Sequence, residues 1–215
     1  MPRPTSTTQR ESRAPLSLPM LSTMNDQPAI RSLLTWRLTF QWVVAALATG
    51  LLAWLTYSRN GWTPWLSNVD LGVHELGHRI VFWAPELLVQ AAGSFFQVAA
   101  PLGFGVYFWS RRDRFAVVLM LAWAAESLNN VSVYIYDATR MVLPLLGDDG
   151  SGSGHDWHNI LSRLGLLQHT DGIAYTVRII SILLFAAAFG LAVWGWGKAR
   201  RERPCFTGAR QPPRL

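Results

Sequence analysis

Cysteine and charged side chains are both scarce in this sequence. Cys205 is the only cysteine among 215 residues, so the chain cannot form an internal disulfide, and a zinc site built from several cysteines is excluded. Charged residues make up 15% of the chain and hydrophobic residues 50%. A typical soluble domain contains about 25% charged residues. The shortage of charge indicates that much of the chain is surrounded by apolar groups.

Positive charge exceeds negative charge, with a formal net charge of +6. No nucleic-acid recognition motif accompanies these cations, so nucleic acid is not an expected partner. The basic residues cluster in the two terminal segments and in a short loop from Arg111 to Arg114. This distribution is typical of the cytoplasmic segments of membrane proteins. We therefore expect membrane lipid as a partner, both termini in the cytoplasm and, by type of composition, a bacterial inner membrane.

Long apolar runs occur at about residues 38–57, 86–109, 115–146 and 173–196. Each can cross the roughly 30 Å hydrocarbon core of a bilayer as a helix. A shorter helical segment, with Asp70 as its predicted N-cap, ends near Ala84 because Pro85 interrupts it. We predict an all-α integral membrane protein, a helical bundle of about four full crossings plus a short re-entrant or interfacial helix.

Composition divides the chain into three parts. Residues 1–34, rich in Ser, Thr, Pro and Arg, are predicted to be a disordered basic N-terminal tail. Residues 35–197 contain the apolar runs and form the predicted membrane-embedded domain, with a flexible loop from Gly147 to Gly154. Residues 198–215 are a basic C-terminal tail.

The short segment contains the sequence His74-Glu75-Leu76-Gly77-His78. Residues four apart lie on one face of a helix, so His74 and His78 can bind one metal ion. This His-Glu-x-x-His pattern is typical of zinc hydrolases, in which the glutamate takes a proton from the water that attacks a carbonyl. Histidines inside an apolar segment are costly, and such residues are usually retained for function. We predict one zinc ion per chain, with His74 and His78 as ligands and Glu75 as general base.

A catalytic zinc ion usually has three protein ligands, so a third is needed. Polar residues interrupt the third apolar run at helical spacing, which predicts that they face protein and not lipid. They are Glu126, Asn129, Asn130 and Asp137. Directly after the glycine-rich loop come His155 and Asp156, which a flexible loop can fold onto the metal. Asp137, His155 and Asp156 are therefore all candidate third ligands.

These motifs together resemble the site-2 protease family of intramembrane zinc metalloproteases. In that family the His-Glu-x-x-His helix is followed by a Gly-x-x-x-Asn helix and then by an Asn-x-x-Pro stretch leading to Asp-Gly. The chain has Gly93 with Gln97 four residues later, and Asn129 with Asp137-Ala138 eight residues later. Gln97 replaces asparagine, Ser132 replaces proline and Ala138 replaces glycine. The resemblance implies that Asp137 is the third zinc ligand.

The chemistry of these residues predicts a membrane-embedded metallohydrolase-like domain that hydrolyses peptide bonds of membrane-associated substrates. Gln97, Asn129 and Asn130 are candidate oxyanion donors or substrate contacts, and Glu126 is a candidate buried partner beside the site. One alternative keeps the zinc but acts on a lipid or another small amphiphile. A further alternative is a metal-binding membrane scaffold without catalysis. The sequence does not predict an oligomeric state.

Overall fold

The computed structural model describes residues 28–59, 61–144 and 154–201. Within these ranges every regular element is a helix. A single 3-10 turn, Leu167–His169, precedes the last helix. The α-helices are Pro28–Ser58 (α1), Leu66–Ile80 (α2), Glu86–Ser110 (α3), Arg114–Asp137 (α4), Asp156–Arg163 (α5) and Thr170–Arg201 (α6).

Four helical stretches are long and apolar enough to cross a membrane. They are Thr39–Ser58, Glu86–Ser110, Arg114–Asp137 and Leu167–Arg201. Many large apolar side chains on these helices are exposed, among them Leu47, Phe104 and Leu183. Exposed apolar surface of this extent suits lipid and not water. The prediction of an all-α bundle with four such helices is confirmed.

Helix α4 lies at the centre of the bundle and contacts α1, α3 and α6. The apolar stretch of α4 has 56% of its residues buried, against 22–33% for the other three stretches. The other helices therefore pack on α4. One core cluster joins Val118 and Ala122 of α4 to Ala45 of α1 and Ala188 of α6. Alanines at these contacts let the helix backbones approach closely, which is how helices associate in an apolar environment.

Helices α1 and α6 run antiparallel. Trp42, in the middle of α1, lies over Gly195 near the end of α6. At the other end, the Tyr57 hydroxyl lies 2.8 Å from the Ser181 hydroxyl. The turn between α3 and α4 lies at the Trp42 end, because Arg114 stacks near Trp194. Helix α2, α5 and their loops lie at the Tyr57 end.

Helix α2 begins four residues earlier than the sequence predicted, so the prediction of Asp70 as its N-cap is wrong. Asp70 is fully buried inside the helix. Its carboxylate accepts hydrogen bonds from Trp123 Nε1 at 2.8 Å and Ser127 Oγ at 3.1 Å, both on α4. A local capping pattern cannot reveal such distant donors. With 15 residues, at about 1.5 Å per residue, α2 is too short to cross a bilayer.

Helix α4 ends at Asp137, earlier than the apolar run that continues to residue 146. The Asp137 carboxylate accepts hydrogen bonds from the backbone N–H groups of Val142 and Leu143, both at 3.0 Å, which turns the chain away from the helix axis. The predicted tails lie mostly outside the described residues, apart from α1 beginning at Pro28 and α6 reaching Arg201. Most of the predicted Gly147–Gly154 loop also lies outside the described residues.

Two glycines of α6 test the packing of α1 on α6. A Cβ at Gly195 would lie 2.5 Å from the Trp42 ring, whereas a Cβ at Gly190 would meet nothing within 4 Å. We expect Gly195→Ala to destabilise the protein by about 1–3 kcal/mol through overpacking. Gly190→Ala should stabilise it by up to about 1 kcal/mol, since alanine favours a helix. Thermal unfolding in detergent measures both, and equal shifts in the two variants would contradict the described packing.

Candidate metal centre

Helices α2 and α3 approach each other closely at two glycines. A Cβ at Gly77 of α2 would lie 2.7 Å from the backbone oxygen of Ala92 on α3. Any side chain at Gly77 would therefore push the helices apart. His74 and His78 share the face of α2 that packs on α3, so this contact determines their position.

The two histidines meet a carboxylate from α5. The Nε2 atoms of His74 and His78 lie 3.1 Å and 3.3 Å from Oδ2 of Asp156. Among the residues that the structure describes, this is the one group of at least three His, Cys, Asp or Glu side chains with ligand atoms close enough to hold a metal ion. The sequence named all three residues as candidate ligands.

Gly93 of α3 leaves open the space in front of the two imidazoles. A Cβ at this position would lie 2.5 Å from Nε2 of His74 and 2.6 Å from Nε2 of His78. The lack of a side chain at Gly93 therefore creates a small cradle bordered by both nitrogens. Imidazole nitrogen and carboxylate oxygen are ordinary zinc ligands, so the donor set and the cradle both fit zinc.

The outer ring nitrogens of both histidines have hydrogen-bond acceptors. Nδ1 of His78 lies 2.7 Å from the backbone oxygen of Val89, and Nδ1 of His74 lies 3.3 Å from Oε1 of Gln97. In the neutral ring each Nδ1 therefore carries the hydrogen, and each Nε2 presents a lone pair. Two lone pairs then face a carboxylate oxygen, an arrangement that needs a cation between them. A metal ion or a proton meets this need.

Interactions between the histidines and Asp156 shift the pKa values of His78 and Asp156. The hydrogen bond to Asp156 is the main cause that raises the pKa of His78 above its ordinary value, against the opposing effect of burial. Burial alone would raise the pKa of Asp156, but its contacts with His74 and His78 outweigh burial and lower it. Asp156 is therefore anionic, and it attracts a cation into the cradle.

Tyr134 of α4 holds Asp156 in place. Its hydroxyl donates to Oδ2 of Asp156 at 3.3 Å and accepts the backbone N–H of Asp156 at 3.1 Å. The neighbouring Trp157 donates from Nε1 to Ser94 Oγ of α3 at 3.0 Å. The start of α5 is thus fixed to both α3 and α4. Tyr134 was not among the residues predicted from the sequence, although its position four residues after Asn130 places it on the polar face of α4.

His155 and Asp137, the other candidate third ligands, contact each other and not the histidine pair. His155 is fully buried and accepts the backbone N–H of His158 at Nδ1, which caps α5. Its Nε2 faces Oδ2 of Asp137 at 3.4 Å. Burial lowers the pKa of His155, partly offset by Asp137. The His155 ring also stacks on Tyr134, with ring centroids 4.5 Å apart. This pair supports the segment that presents Asp156.

A cavity of about 360 Å³ opens beside the three candidate ligands, and Glu75 lies on its wall. Gln97 and Asn130 also line it, linked by a hydrogen bond from Gln97 Nε2 to Asn130 Oδ1 at 3.1 Å. Asn130 in turn donates to the backbone oxygen of Gly61 at 3.3 Å. The structure therefore brings Glu75, Gln97 and Asn130 to the site, as the sequence predicted.

Asn129 and Glu126 do not line this cavity. Asn129 is buried beneath Gly61, where a Cβ would lie 3.3 Å from its Nδ2. Gly61 has a φ of 86°, a conformation that favours glycine, so the loop can cross α4 at this point. Glu126 is fully buried, one helical turn before Asn130. Both residues thus contribute to the packing behind the site.

Comparisons with protein-family models, with curated proteins and with solved structures find no match to this chain.

The choice between Asp156 and Asp137 as third ligand is testable with one substitution at each position. We expect wild-type protein and Asp137→Asn to bind about one zinc ion per chain, and Asp156→Asn to lose it because a ligand is gone. Asp137→Asn should instead lose about 1–3 kcal/mol of stability, since a buried charged acceptor is removed. Zinc content by mass spectrometry and thermal unfolding measure the two effects. Zinc retained in Asp156→Asn and lost in Asp137→Asn would reverse the assignment.

Gly93 offers a test that removes no ligand. We expect Gly93→Ala to weaken zinc binding at least about tenfold, because its Cβ would displace both imidazoles from their hydrogen bonds. Gly103 is the matched control, since it lies on the same helix and a Cβ there would meet nothing within 4 Å. Zinc titration of both variants gives the comparison, and equal affinities would show that the cradle does not hold the metal.

Proposed function

We propose that the protein is an integral membrane zinc hydrolase that cleaves peptide bonds of membrane-associated substrates. The proposal is carried by the convergence of His74, His78 and Asp156 on one cradle, next to Glu75 on the wall of a cavity. Two imidazoles and one carboxylate would hold a zinc ion and leave room beside it for water or substrate.

Zinc supplies Lewis acidity when bound, which lowers the pKa of a water molecule toward about 7 and polarises a carbonyl group. Glu75 follows His74 directly in α2 and lines the same cavity, which suits it to accept a proton from the attacking water. The same carboxyl group can then deliver that proton to the leaving amine. The side chains that hold the metal and the side chain that moves the proton thus come from one helix and one facing carboxylate.

Donors for the developing oxyanion lie on the α4 side of the cavity. Tyr134 already directs its hydroxyl at Asp156, so a small rotation would direct it into the cavity. The amide of Asn130 lines the same wall. Fixed donors of this kind stabilise the charge that develops on the carbonyl oxygen.

The four long apolar helices support a membrane location. The arginine turn between α3 and α4 favours a cytoplasmic position for that end, which places α2 and the cavity toward the other face. A helical substrate hides its carbonyl groups in its own hydrogen bonds, so it must unwind locally before hydrolysis. A site near one end of the bundle gives access to water for that step.

Hydrolysis of a lipid or small amphiphile is the second candidate function. Part of the cavity wall is apolar, formed by Leu71, Val133, Leu143 and Pro144. That wall can hold an acyl chain while the carbonyl lies near the metal ligands. The two candidates share the zinc chemistry and differ in the bond that is cleaved.

Replacement of Glu75 tests catalysis separately from metal binding. We expect Glu75→Gln to keep the zinc ion and to lower hydrolysis by about 100-fold or more, because the proton acceptor is lost. Glu86→Gln is the matched control, since Glu86 is exposed and pairs with Arg163 away from the cavity. The assay reconstitutes each protein in membranes from a strain that lacks it, and mass spectrometry detects new peptide termini and new lipid products.

The products decide between the candidates. New peptide termini that require Glu75 support the protease, and new lipid products that require Glu75 support the amphiphile hydrolase. If the wild type binds zinc and yields neither product class, the protein is a metal-binding scaffold and the proposal fails.

A further inference from the structure

A positively charged recess lies at the opposite end of the bundle from the candidate metal centre. Its walls are Trp109 and Ser110 at the end of α3, Arg112 in the following turn and Arg114 at the start of α4. The recess has a volume of about 400 Å³. Nothing in the proposed hydrolysis uses these residues.

The cations around the recess are not neutralised by neighbouring acids. Arg111, Arg112 and Arg114 are all exposed, and within the described part of the chain none of them forms an ion pair with an acidic side chain. Asp113 is the one acidic residue of this turn. Its carboxylate accepts the backbone N–H of Ala116 at 3.0 Å and so caps α4. The recess therefore retains a strong positive charge.

Aromatic rings hold two of the arginines in position. Arg111 lies 5.5 Å from the centroid of the Tyr107 ring, and Arg114 lies 5.7 Å from that of Trp194 on α6. Lys198 approaches the same Trp194 ring at 5.8 Å, which brings a further cation to this side. Arg112 lies between the two held arginines, and its side chain has no hydrogen bond or ion pair among the described residues. Its guanidinium group is thus available to an anion.

The backbone conformation keeps Arg112 at this position. The N–H of Asp113 donates to the backbone oxygen of Phe108, and the N–H of Arg112 donates to that of Trp109. This is the pattern that ends a helix with a left-handed residue, where glycine is usual. Arg112 occupies that place with a φ of 60°. An arginine at a position that favours glycine points to a role for its side chain.

Apolar side chains continue from the recess along the outer faces of the long helices. Trp109 is 64% exposed and Trp194 is 55% exposed, and Val106 and Val193 are exposed one turn or less away. These faces belong to helices long enough to cross a membrane. A ligand in the recess would therefore have its charged part among arginines and its remainder along an apolar surface.

We propose that this recess binds the headgroup of an anionic phospholipid. Arg112 and Arg114 contact the phosphate group, because a guanidinium presents several donors in a plane that matches phosphate oxygens. The acyl chains lie along the exposed faces of α3 and α6. Basic pockets at the ends of membrane helices bind anionic headgroups in this way. A free anion would use the arginines but not the apolar surface.

Native mass spectrometry of the full chain in detergent tests this proposal with two lipids of identical acyl chains, phosphatidylglycerol and phosphatidylcholine. We expect the wild type to bind phosphatidylglycerol more tightly than phosphatidylcholine. The double variant Arg112→Gln/Arg114→Gln should bind phosphatidylglycerol about 10- to 30-fold more weakly, as expected for the loss of two cations near a headgroup. Binding of phosphatidylcholine should change much less, because its choline cation offsets the charge of its phosphate.

The control variant is Arg59→Gln/Arg178→Gln, which removes the same charge from two exposed arginines at the other end of the bundle. It should keep the wild-type preference for phosphatidylglycerol. Equal losses in the two double variants would show a general effect of charge and would overturn the proposal. Displacement of phosphatidylglycerol by an equal concentration of inorganic phosphate would also overturn it, because the site would then recognise a soluble anion.

Discussion

Two imidazole nitrogens and a carboxylate oxygen face one another in this protein, and a proton or a metal ion between them would relieve the repulsion of their lone pairs. His74 and His78 come from α2 and Asp156 from α5, so the site forms only when three separate elements are held around Gly93 of α3. Apposed lone pairs are unfavourable in a largely apolar interior, where charges are poorly screened. A metal ion bound there would also stabilise the fold, since a metal that binds only the folded chain adds its binding energy to folding.

Much of the remaining structure serves this arrangement. The close contact of α2 with α3 requires glycine at position 77. On the other side, the Tyr134 hydroxyl and the buried His155–Asp137 pair fix the start of α5. The Tyr134 hydroxyl has both of its partners in Asp156, and the Asp137 carboxylate accepts two backbone N–H groups. Such pairing matters because an unpaired polar group in an apolar helix bundle costs roughly 2–7 kcal/mol. The polar residues of α4 thus act as connections between elements as well as cavity lining.

Local sequence patterns predicted the features that depend on one helix at a time. Apolar length predicted the four long helices, and the four-residue spacing predicted that His74 and His78 act together. The position of the candidate third ligand depends on a loop whose path no periodicity encodes, so Asp137 and Asp156 could not be distinguished from the sequence. The family resemblance favoured Asp137 by its distance from Asn129 along the chain. The structure instead joins Asp137 to His155 and to the backbone after α4. Asp70 was mistaken for a cap because its partners, Trp123 and Ser127, lie on a distant helix.

The contacts of α2 with its neighbours define the cavity beside the cradle. Helix α2 packs along α3 but touches α4 at few positions, and the cavity occupies the gap between α2 and α4. Leu71 faces this gap, while Leu76 and Ile80 on α2 are exposed at the periphery of the bundle. The contacts that do hold α2 to α4 include the hydrogen bonds of the fully buried Asp70 carboxylate with Trp123 and Ser127. For the proposed hydrolysis, a substrate would therefore reach the candidate ligands through the existing cavity between α2 and α4, because the buried Asp70 contacts oppose a wider separation of the two helices.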